Sequence, residues 1–155
     1  MIRSVIATVG AVLACQAATA NSAEVKTDST ITYVIVSNAE QKVKDTTVYR
    51  LLAKGIINAA DPSSPFHLMS QDCFETVVIG AKGNVADGGG YCDSWDRDGD
   101  SFRNWWNFTA DGSSKWEVIH GTGKFEGLTG GGTCKPLVNF PDRFTLGCQG
   151  TAMMK

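Results

Sequence analysis

The sequence is poor in the residues that build metal centres and nucleic-acid interfaces. It has two histidines in 155 residues and no Cys-x-x-C pair, which disfavours a zinc ribbon and a thioredoxin-type redox site. Lysine and arginine are not in excess, because 14 of them stand against 16 aspartates and glutamates. No basic patch is present, so we predict no nucleic-acid partner.

Long apolar runs are missing as well. The first residues combine Arg3, a short apolar run that ends at Leu13 and the small residues Ala18–Ala20, which is the layout of a secretory signal peptide. The run is shorter than the roughly 20 residues that a membrane span needs. We therefore predict a signal peptide over 1–20, cleaved near Ala20, a single domain over 21–155, and a periplasmic or secreted protein without a membrane span. A buried N-terminal helix is the alternative.

Five cysteines are present, and only one of them lies in the predicted signal peptide. Cys15 ends "VLAC", which resembles a lipobox, so a lipid anchor at Cys15 is an alternative to its removal. An even number of cysteines in an exported domain predicts two disulfide bonds, for which three pairings are possible. We favour Cys73–Cys92 and Cys134–Cys148, because each pair would tie neighbouring segments.

Helical periodicity is also missing, since no stretch of ten or more residues in 21–155 has a convincing 3.6-residue repeat. Short segments rich in β-branched and aromatic residues occur instead, separated by turn-rich connections such as "DRDGD" and "ADGSS". They are 30–36, 46–60, 74–80, 89–95, 101–109, 114–121, 132–139 and 143–154. Eight strands at this spacing predict an all-β fold, either an antiparallel sheet closed into a barrel or a two-sheet sandwich.

Six of the twelve residues in "GTGKFEGLTGGG", Gly121–Gly132, are glycines. A dinucleotide-binding loop would need a third glycine where Glu126 stands. A P-loop would need glycine in place of Val118, and serine or threonine in place of Phe125. Glycines also permit the bulges and sharp bends of a closing sheet. We therefore predict that this segment shapes a sheet and does not hold a phosphate.

The same segment carries a family resemblance. "GTGKFEGLTGGGTCKPL" resembles the G-x-G-x-F-x-G-x-x-G hairpin of the allene oxide cyclase-like barrel, a calycin-like fold shared with plant dirigent proteins. The upstream "GGYCDSWDRDGD" is similar to small exported bacterial members of that superfamily. The resemblance implies an eight-stranded antiparallel closed barrel with a central cavity. The family includes cyclases of a fatty-acid epoxide and proteins that steer phenoxy-radical coupling, which work mainly by positioning an apolar substrate. The resemblance covers the hairpin and not the cavity, so it transfers no catalytic residue.

One acidic motif matches part of a calcium-binding loop. In "DSWDRDGD", Asp96, Asp98 and Asp100 occupy positions one, three and five. Ser101 and Asn107 stand where an EF-hand has glycine and glutamate, so the match is incomplete. The alternative is a polar hairpin tip whose aspartates bond to the local backbone. Calcium is the only cofactor that the sequence suggests.

Candidate site residues are mostly aromatic. Trp105 and Trp106 are adjacent in a predicted strand and must face opposite sides of the sheet. We predict that Trp106, Trp116 and Phe125 contact a ligand inside the barrel. The catalytic candidates are His120, which alternation with Trp116 points inward, and Glu117.

Two hypotheses about function follow. The first is an exported barrel without catalysis that binds a small apolar ligand or a protein partner. The second is a cavity isomerase or cyclase acting on an apolar substrate, as in allene oxide cyclase. An open apolar interior with an inward acid or base favours the enzyme. An interior filled by its own aromatic side chains favours binding at the surface.

Overall fold

The computed structural model describes residues 22–109 and 111–155, and this part of the chain is almost entirely β-structure. Its strands are β1 (Ala23–Lys26), β2 (Ser29–Val43), β3 (Thr46–Ala59), β4 (Met69–Ile79), β5 (Val85–Trp95), β6 (Ser101–Phe108), β7 (Ser114–Gly121), β8 (Thr129–Asn139) and β9 (Arg143–Met154). A 3₁₀ turn, Gly123–Phe125, connects β7 to β8. The predicted signal peptide, its cleavage near Ala20 and the lipid anchor at Cys15 lie outside the described residues. Within those residues, no helix is long and apolar enough to cross a membrane.

The strands close into a barrel. From β2 to β9, each strand pairs antiparallel with the next, and β9 pairs back onto β2. The short strand β1 continues the line of β2, because β1 pairs with 151–154 of β9 and β2 pairs with 143–148. The barrel therefore has eight strand positions, and β1 and β2 share the first of them, with an interruption at Thr27 and Asp28. The predicted eight-stranded antiparallel closed barrel is confirmed over the alternative of a sandwich.

All eight predicted segments are strands, but several are longer than the prediction. The segment 30–36 extends to 43 in β2, and the segment 74–80 begins at Met69 in β4. Strand β1 was not predicted, because "AEVK" is too short to show alternation. Residue-by-residue patterns find the buried middle of a strand more easily than its ends.

One end of the barrel is closed by aromatic side chains. The rings of Phe66, Phe102 and Phe125 pack against one another with centroids 5.5 to 5.8 Å apart. Phe125 and Met69 are fully buried, and Leu128 is 3% exposed. The glycine-rich segment brings Phe125 and Leu128 to this end through the 3₁₀ turn between β7 and β8.

An ionic contact ties the glycine-rich segment to the β5–β6 connection. Lys124 Nζ lies 2.5 Å from Asp96 Oδ2, and the Lys124 amide donates to Asp100 Oδ2 at 3.2 Å. Gly123 has a φ of 56°, and a side chain there would overlap the Asp100 carboxylate. Only glycine suits this position, because it accepts the left-handed backbone and leaves room for the carboxylate. This glycine has a structural role in the turn, as the sequence predicts for the segment.

Both disulfide bonds join residues directly opposite each other on neighbouring strands. Cys73 in β4 faces Cys92 in β5, and Cys134 in β8 faces Cys148 in β9. These are the two pairings that the sequence analysis favours. On the chain-entropy model, a bond that closes a loop of this length stabilises the fold by about 3 kcal/mol. Disulfide bonds are typical of proteins that fold in an oxidising compartment.

The opposite end carries the short connections. Four hairpins turn there, at 43–46, 79–85, 108–114 and 139–143. Val85 lines the interior and is 44% exposed, so the interior opens to solvent at this end. The barrel is thus closed at one end and open at the other.

Candidate functional site

The barrel interior holds a cavity of about 410 Å³. Phe66 and Phe102 form its floor, and aliphatic side chains of β2, β3, β4 and β9 form much of its wall. Trp106 and Trp116, two of the three residues predicted to contact a ligand, line the cavity, and the contact itself stays a prediction. Phe125 does not line it: the ring is fully buried beneath the floor, where it packs against Phe66 and Phe102. The structure thus gives Phe125 a packing role.

Strand β4 carries the charged group of the cavity. Its inward residues alternate as expected for a strand with one face to the interior. They are Gln71, Cys73, Glu75, Val77 and Ile79. Among the described residues that line the cavity, Glu75 is the only one with a formal charge. Burial raises the pKa of Glu75 to about 7, since an apolar environment disfavours the charged carboxylate. Glu75 can therefore donate or accept a proton near neutral pH.

A hydrogen-bonded cluster lies below Glu75. The Tyr33 hydroxyl donates to Gln71 Oε1, and Gln71 Nε2 donates to Ser94 Oγ at 2.7 Å. The Tyr33 ring fits over Gly55, where an added Cβ would lie 2.6 Å from a ring carbon. Burial, and then the charge of Glu75, raise the pKa of Tyr33 above its ordinary value. Tyr33 is therefore a neutral donor across the physiological pH range, and its hydrogen bond holds the Gln71 side chain in place.

A gap in the wall lies beside Glu75. Glu75, Gly90 and Trp106 are consecutive cross-strand partners on β4, β5 and β6. Gly90 contributes no side chain, and an added Cβ would overlap the Phe74 carbonyl oxygen. The carboxylate of Glu75 and the indole of Trp106 are therefore separated by a space one residue wide. The Trp106 ring is held by an edge contact with Phe108 at a centroid distance of 5.2 Å.

Two buried polar atoms in the cavity wall have no hydrogen-bond partner within the described part of the chain. They are the indole nitrogen of Trp116 and the hydroxyl of Thr27. Buried Trp N–H and hydroxyl groups usually find a partner, because leaving them unpaired costs about 1–3 kcal/mol. Neither atom is accessible to solvent, so these unpaired groups destabilise the fold and are not contact points for a ligand in the cavity.

The two catalytic candidates from the sequence lie outside the cavity. Glu117 and His120 are both exposed. The inward orientation expected for His120 is wrong, because a bulge shifts the register between β6 and β7. Val118 pairs with Asn104, whereas His120 pairs with Arg103. The extra residue reverses the alternation. His120 therefore joins the outward-facing Arg103, which pairs with Asp93 at 2.6 Å.

Trp105 lies on the outer wall, as its alternation with Trp106 predicts. It borders a shallow groove with Lys115, Glu117 and Gly131. Its cross-strand partner is Tyr91, which is 55% exposed. The outer face of the barrel thus carries aromatic surface of its own.

The three aspartates of the predicted calcium loop are partly engaged with the protein. Asp96 Oδ1 accepts hydrogen bonds from the amides of Asp98 and Asp100 at 2.9 and 3.0 Å, and its other oxygen pairs with Lys124. The hydrogen bond from Lys124, together with those amides, lowers the pKa of the Asp96 carboxyl. Among the residues that the structure describes, no three acidic, histidine or cysteine side chains group into a metal site. This geometry matches the polar hairpin tip, and calcium binding stays a prediction.

Comparison with known proteins adds information about the fold. No protein-family model matches the chain, and no curated protein matches it in sequence. Two solved structures of pterocarpan synthase dirigent proteins are similar to it. GePTS1 has a TM-score of 0.54 at 12% identity, over 86% of this chain and 86% of its own. PsPTS1 has a TM-score of 0.56 at 12% identity, over 85% of this chain and 96% of its own. The chain has the dirigent-type barrel fold.

Sequence reasoning did not find Glu75, although a signal for it exists. Cys73 was predicted to form a disulfide, and in the structure its buried side chain faces the barrel interior. Alternation from Cys73 would then point Glu75, Val77 and Ile79 to the same side. One acidic residue on an otherwise apolar face is unusual, because buried carboxylates are rarely unpaired. That contrast would have identified Glu75 as a site candidate.

Proposed function

We propose that this protein is an exported barrel that binds one small, mainly apolar organic molecule in its interior. The observation that carries the proposal is the open cavity of about 410 Å³ with a largely apolar wall. Small-molecule sites are typically apolar clefts of about 300–1,000 Å³ with a few polar groups that orient the ligand. Glu75 is a polar group of this kind. Two disulfides that link neighbouring strands would keep the cavity preformed.

The likeness to dirigent proteins is consistent with this proposal. Both similar structures bear the name pterocarpan synthase, so barrels of this fold can act on a small organic molecule. The low sequence identity does not transfer their substrate to this chain.

A cavity-filling variant tests the proposal. Val77 lines the cavity from β4, whereas the adjacent Val78 does not. We expect Val77→Trp to lose binding of the uncharged apolar fluorophore N-phenyl-1-naphthylamine, because the indole would occupy the ligand's space. The matched control Val78→Trp keeps wild-type affinity. The measurement is a fluorescence titration of each purified protein. Equal binding by both variants, or no binding by the wild type, would contradict the proposal.

A protein partner is the other occupant that the sequence left open. It would use the outer wall, where Phe74 and Tyr91 are opposite each other and more than half exposed. Native mass spectrometry of protein purified from its source distinguishes the two. A small-molecule adduct supports the cavity ligand, whereas a complex with a second protein supports the outer wall. The observed mass would also report the N-terminus and so test export.

An isomerase remains the second candidate function, because Glu75 provides an acid inside an apolar cavity. A carboxyl group with a pKa near the working pH is suited to general acid–base catalysis. Glu75 would take the role that the sequence analysis gave to Glu117 or His120. The test is to compare the compound that co-purifies with Glu75→Gln with the one from wild type. A different compound, converted by added wild-type protein, supports catalysis. The same unconverted compound supports binding alone.

A further inference from the structure

We infer that Glu75 makes the cavity selective for a ligand that carries a positively charged nitrogen on an apolar body. The inference rests on the proposed function, because it names the ligand class of the same cavity. It adds a specificity-determining residue to that site.

The charge balance of the cavity is the first argument. The described wall of the cavity contains no lysine, arginine or histidine that could pair with Glu75. The ion pairs of the described residues all use other carboxylates: Lys54 pairs with Asp72, Arg97 with Asp98, Arg103 with Asp93, Lys124 with Asp96, and Arg143 with Asp142. An unpaired carboxylate in apolar surroundings is unfavourable. A ligand cation would supply the missing partner and gain a charge-assisted hydrogen bond.

The space at Gly90 is the second argument. Neighbouring strands are about 4.8 Å apart, so the backbones at Glu75 and Trp106 are separated by about 10 Å, with no side chain between them. One side of this gap is a carboxylate and the other is an indole. An ammonium group placed there would pair with the carboxylate and contact the aromatic ring, and tryptophan is the best cation–π partner. An anion would be repelled, and an uncharged group would leave the carboxylate unpaired.

No neighbour of Glu75 on the adjacent strands can supply or neutralise the charge that the ligand would pair with. Its cross-strand partners are Leu51 on β3 and Gly90 on β5, neither of which is charged. Tyr33 is a titratable group on which the charge of Glu75 acts, and burial is the main reason that its pKa is raised and that it stays neutral. The pKa of Glu75 is about 7, so its charge is present at pH 8 and absent at pH 5. The selectivity should follow the same pH range.

Competition among three naphthalene compounds tests the inference. N-phenyl-1-naphthylamine serves as the uncharged reporter. The competitors are 1-naphthylmethylamine, 1-naphthalenemethanol and 1-naphthaleneacetate, which have similar apolar bodies and differ in charge. At pH 8 we expect the amine to displace the reporter from the wild type at about tenfold lower concentration than the alcohol. The acetate should be the weakest. In Glu75→Gln, the amine and the alcohol should be within about twofold of each other.

The matched control is Glu117→Gln, the same substitution on the outer wall, which should keep the wild-type preference for the amine. The wild type at pH 5 should lose that preference, and this measurement decides the question even if Glu75→Gln does not fold. The inference is overturned if the amine is no better than the alcohol at pH 8, or if Glu75→Gln keeps the preference. If the reporter itself does not bind, the proposed function fails and the inference fails with it. If the reporter binds without charge preference, only the inference fails.

Discussion

At one end of the barrel, three phenylalanine rings pack against one another, whereas at the other end four hairpins leave the interior open. Phe125 at the closed end is fully buried, and Val85 at the open end is 44% exposed. The closed end is further tied by the pair between Lys124 and Asp96. The two ends therefore differ in role: the packing that stabilises the fold is concentrated at the closed end, and a ligand can enter the cavity at the open end. Changes at the closed end should therefore alter folding, and changes toward the open end should alter binding.

The largest effect should come from the aromatic floor. Phe125→Ala removes a fully buried ring that packs against Phe66 and Phe102. We expect it to lower the free energy of unfolding by about 4 kcal/mol, since the packed floor cannot collapse into the void. Phe108→Ala, toward the open end, should cost about 1 kcal/mol because that ring is half-buried beside an open cavity. Urea unfolding measures both. Similar losses would contradict the division between the two ends.

The ionic contact at the closed end should give the next largest effect. Asp96→Ala removes the partner of Lys124 and of two backbone amides. We expect a loss of about 2 kcal/mol in the free energy of unfolding. The control Asp98→Ala should stay within about 0.5 kcal/mol, because the Asp98 side chain is 67% exposed. Equal effects of the two substitutions would argue against a structural role for Asp96.

Adding calcium tests whether the aspartates at the closed end also bind a metal ion. If Asp96, Asp98 and Asp100 bind Ca²⁺, adding the ion should raise the unfolding midpoint of the wild type, because a ligand that binds only the folded state stabilises it. The midpoint of Asp96→Ala should then not respond. An unchanged wild-type midpoint would contradict the calcium prediction and leave the hairpin tip as the role of the motif.

Glu75, which lines the cavity between the two ends, should make the free energy of unfolding depend on pH. Its pKa rises from 4.5 to about 7 on folding, so the folded state holds the proton more tightly than the unfolded chain. Stability should therefore fall as pH rises from about 4.5 to about 7 and stay constant above that range. Glu75→Gln removes the cost of burying a charged carboxylate. The variant should therefore be more stable than wild type by about 2 kcal/mol at pH 8, with no difference at pH 4. Urea unfolding at both pH values checks the sign, and a variant less stable at pH 8 would refute it.

The smallest effect on stability should occur at the open end. Val85→Ser changes an exposed residue that lines the cavity. We expect less than about 0.5 kcal/mol in the free energy of unfolding, but a two- to threefold weaker affinity for N-phenyl-1-naphthylamine, because some apolar contact is lost. Val43→Ser, in a neighbouring hairpin strand and 46% exposed, should change neither quantity. If Val43→Ser also weakened binding of the fluorophore, the result would contradict the conclusion that the ligand enters beside Val85.

Much of the fold was readable from local patterns. Turn clusters and segments rich in β-branched and aromatic residues identified all eight strands of the barrel, and alternation in β6 placed Trp105 and Trp106 on opposite faces. The positions of the cysteines favoured the two pairings that the structure contains. Patterns of this kind depend on residues within one strand or in adjacent segments, so they need no knowledge of the register between strands.

The sequence by itself determined that the chain forms short antiparallel strands with one apolar face and two disulfides. Local patterns left a barrel and a sandwich open, and the family resemblance predicted the closed barrel. Only the tertiary structure decided that Phe125 lies beneath the floor and that a bulge turns His120 outward. It also decided that Glu75 lies one glycine away from Trp106. The physical reason is that these facts depend on pairing between strands, where one extra residue moves a side chain to the other face. The burial that shifts the pKa of Glu75 exists only after the strands have paired into the closed barrel.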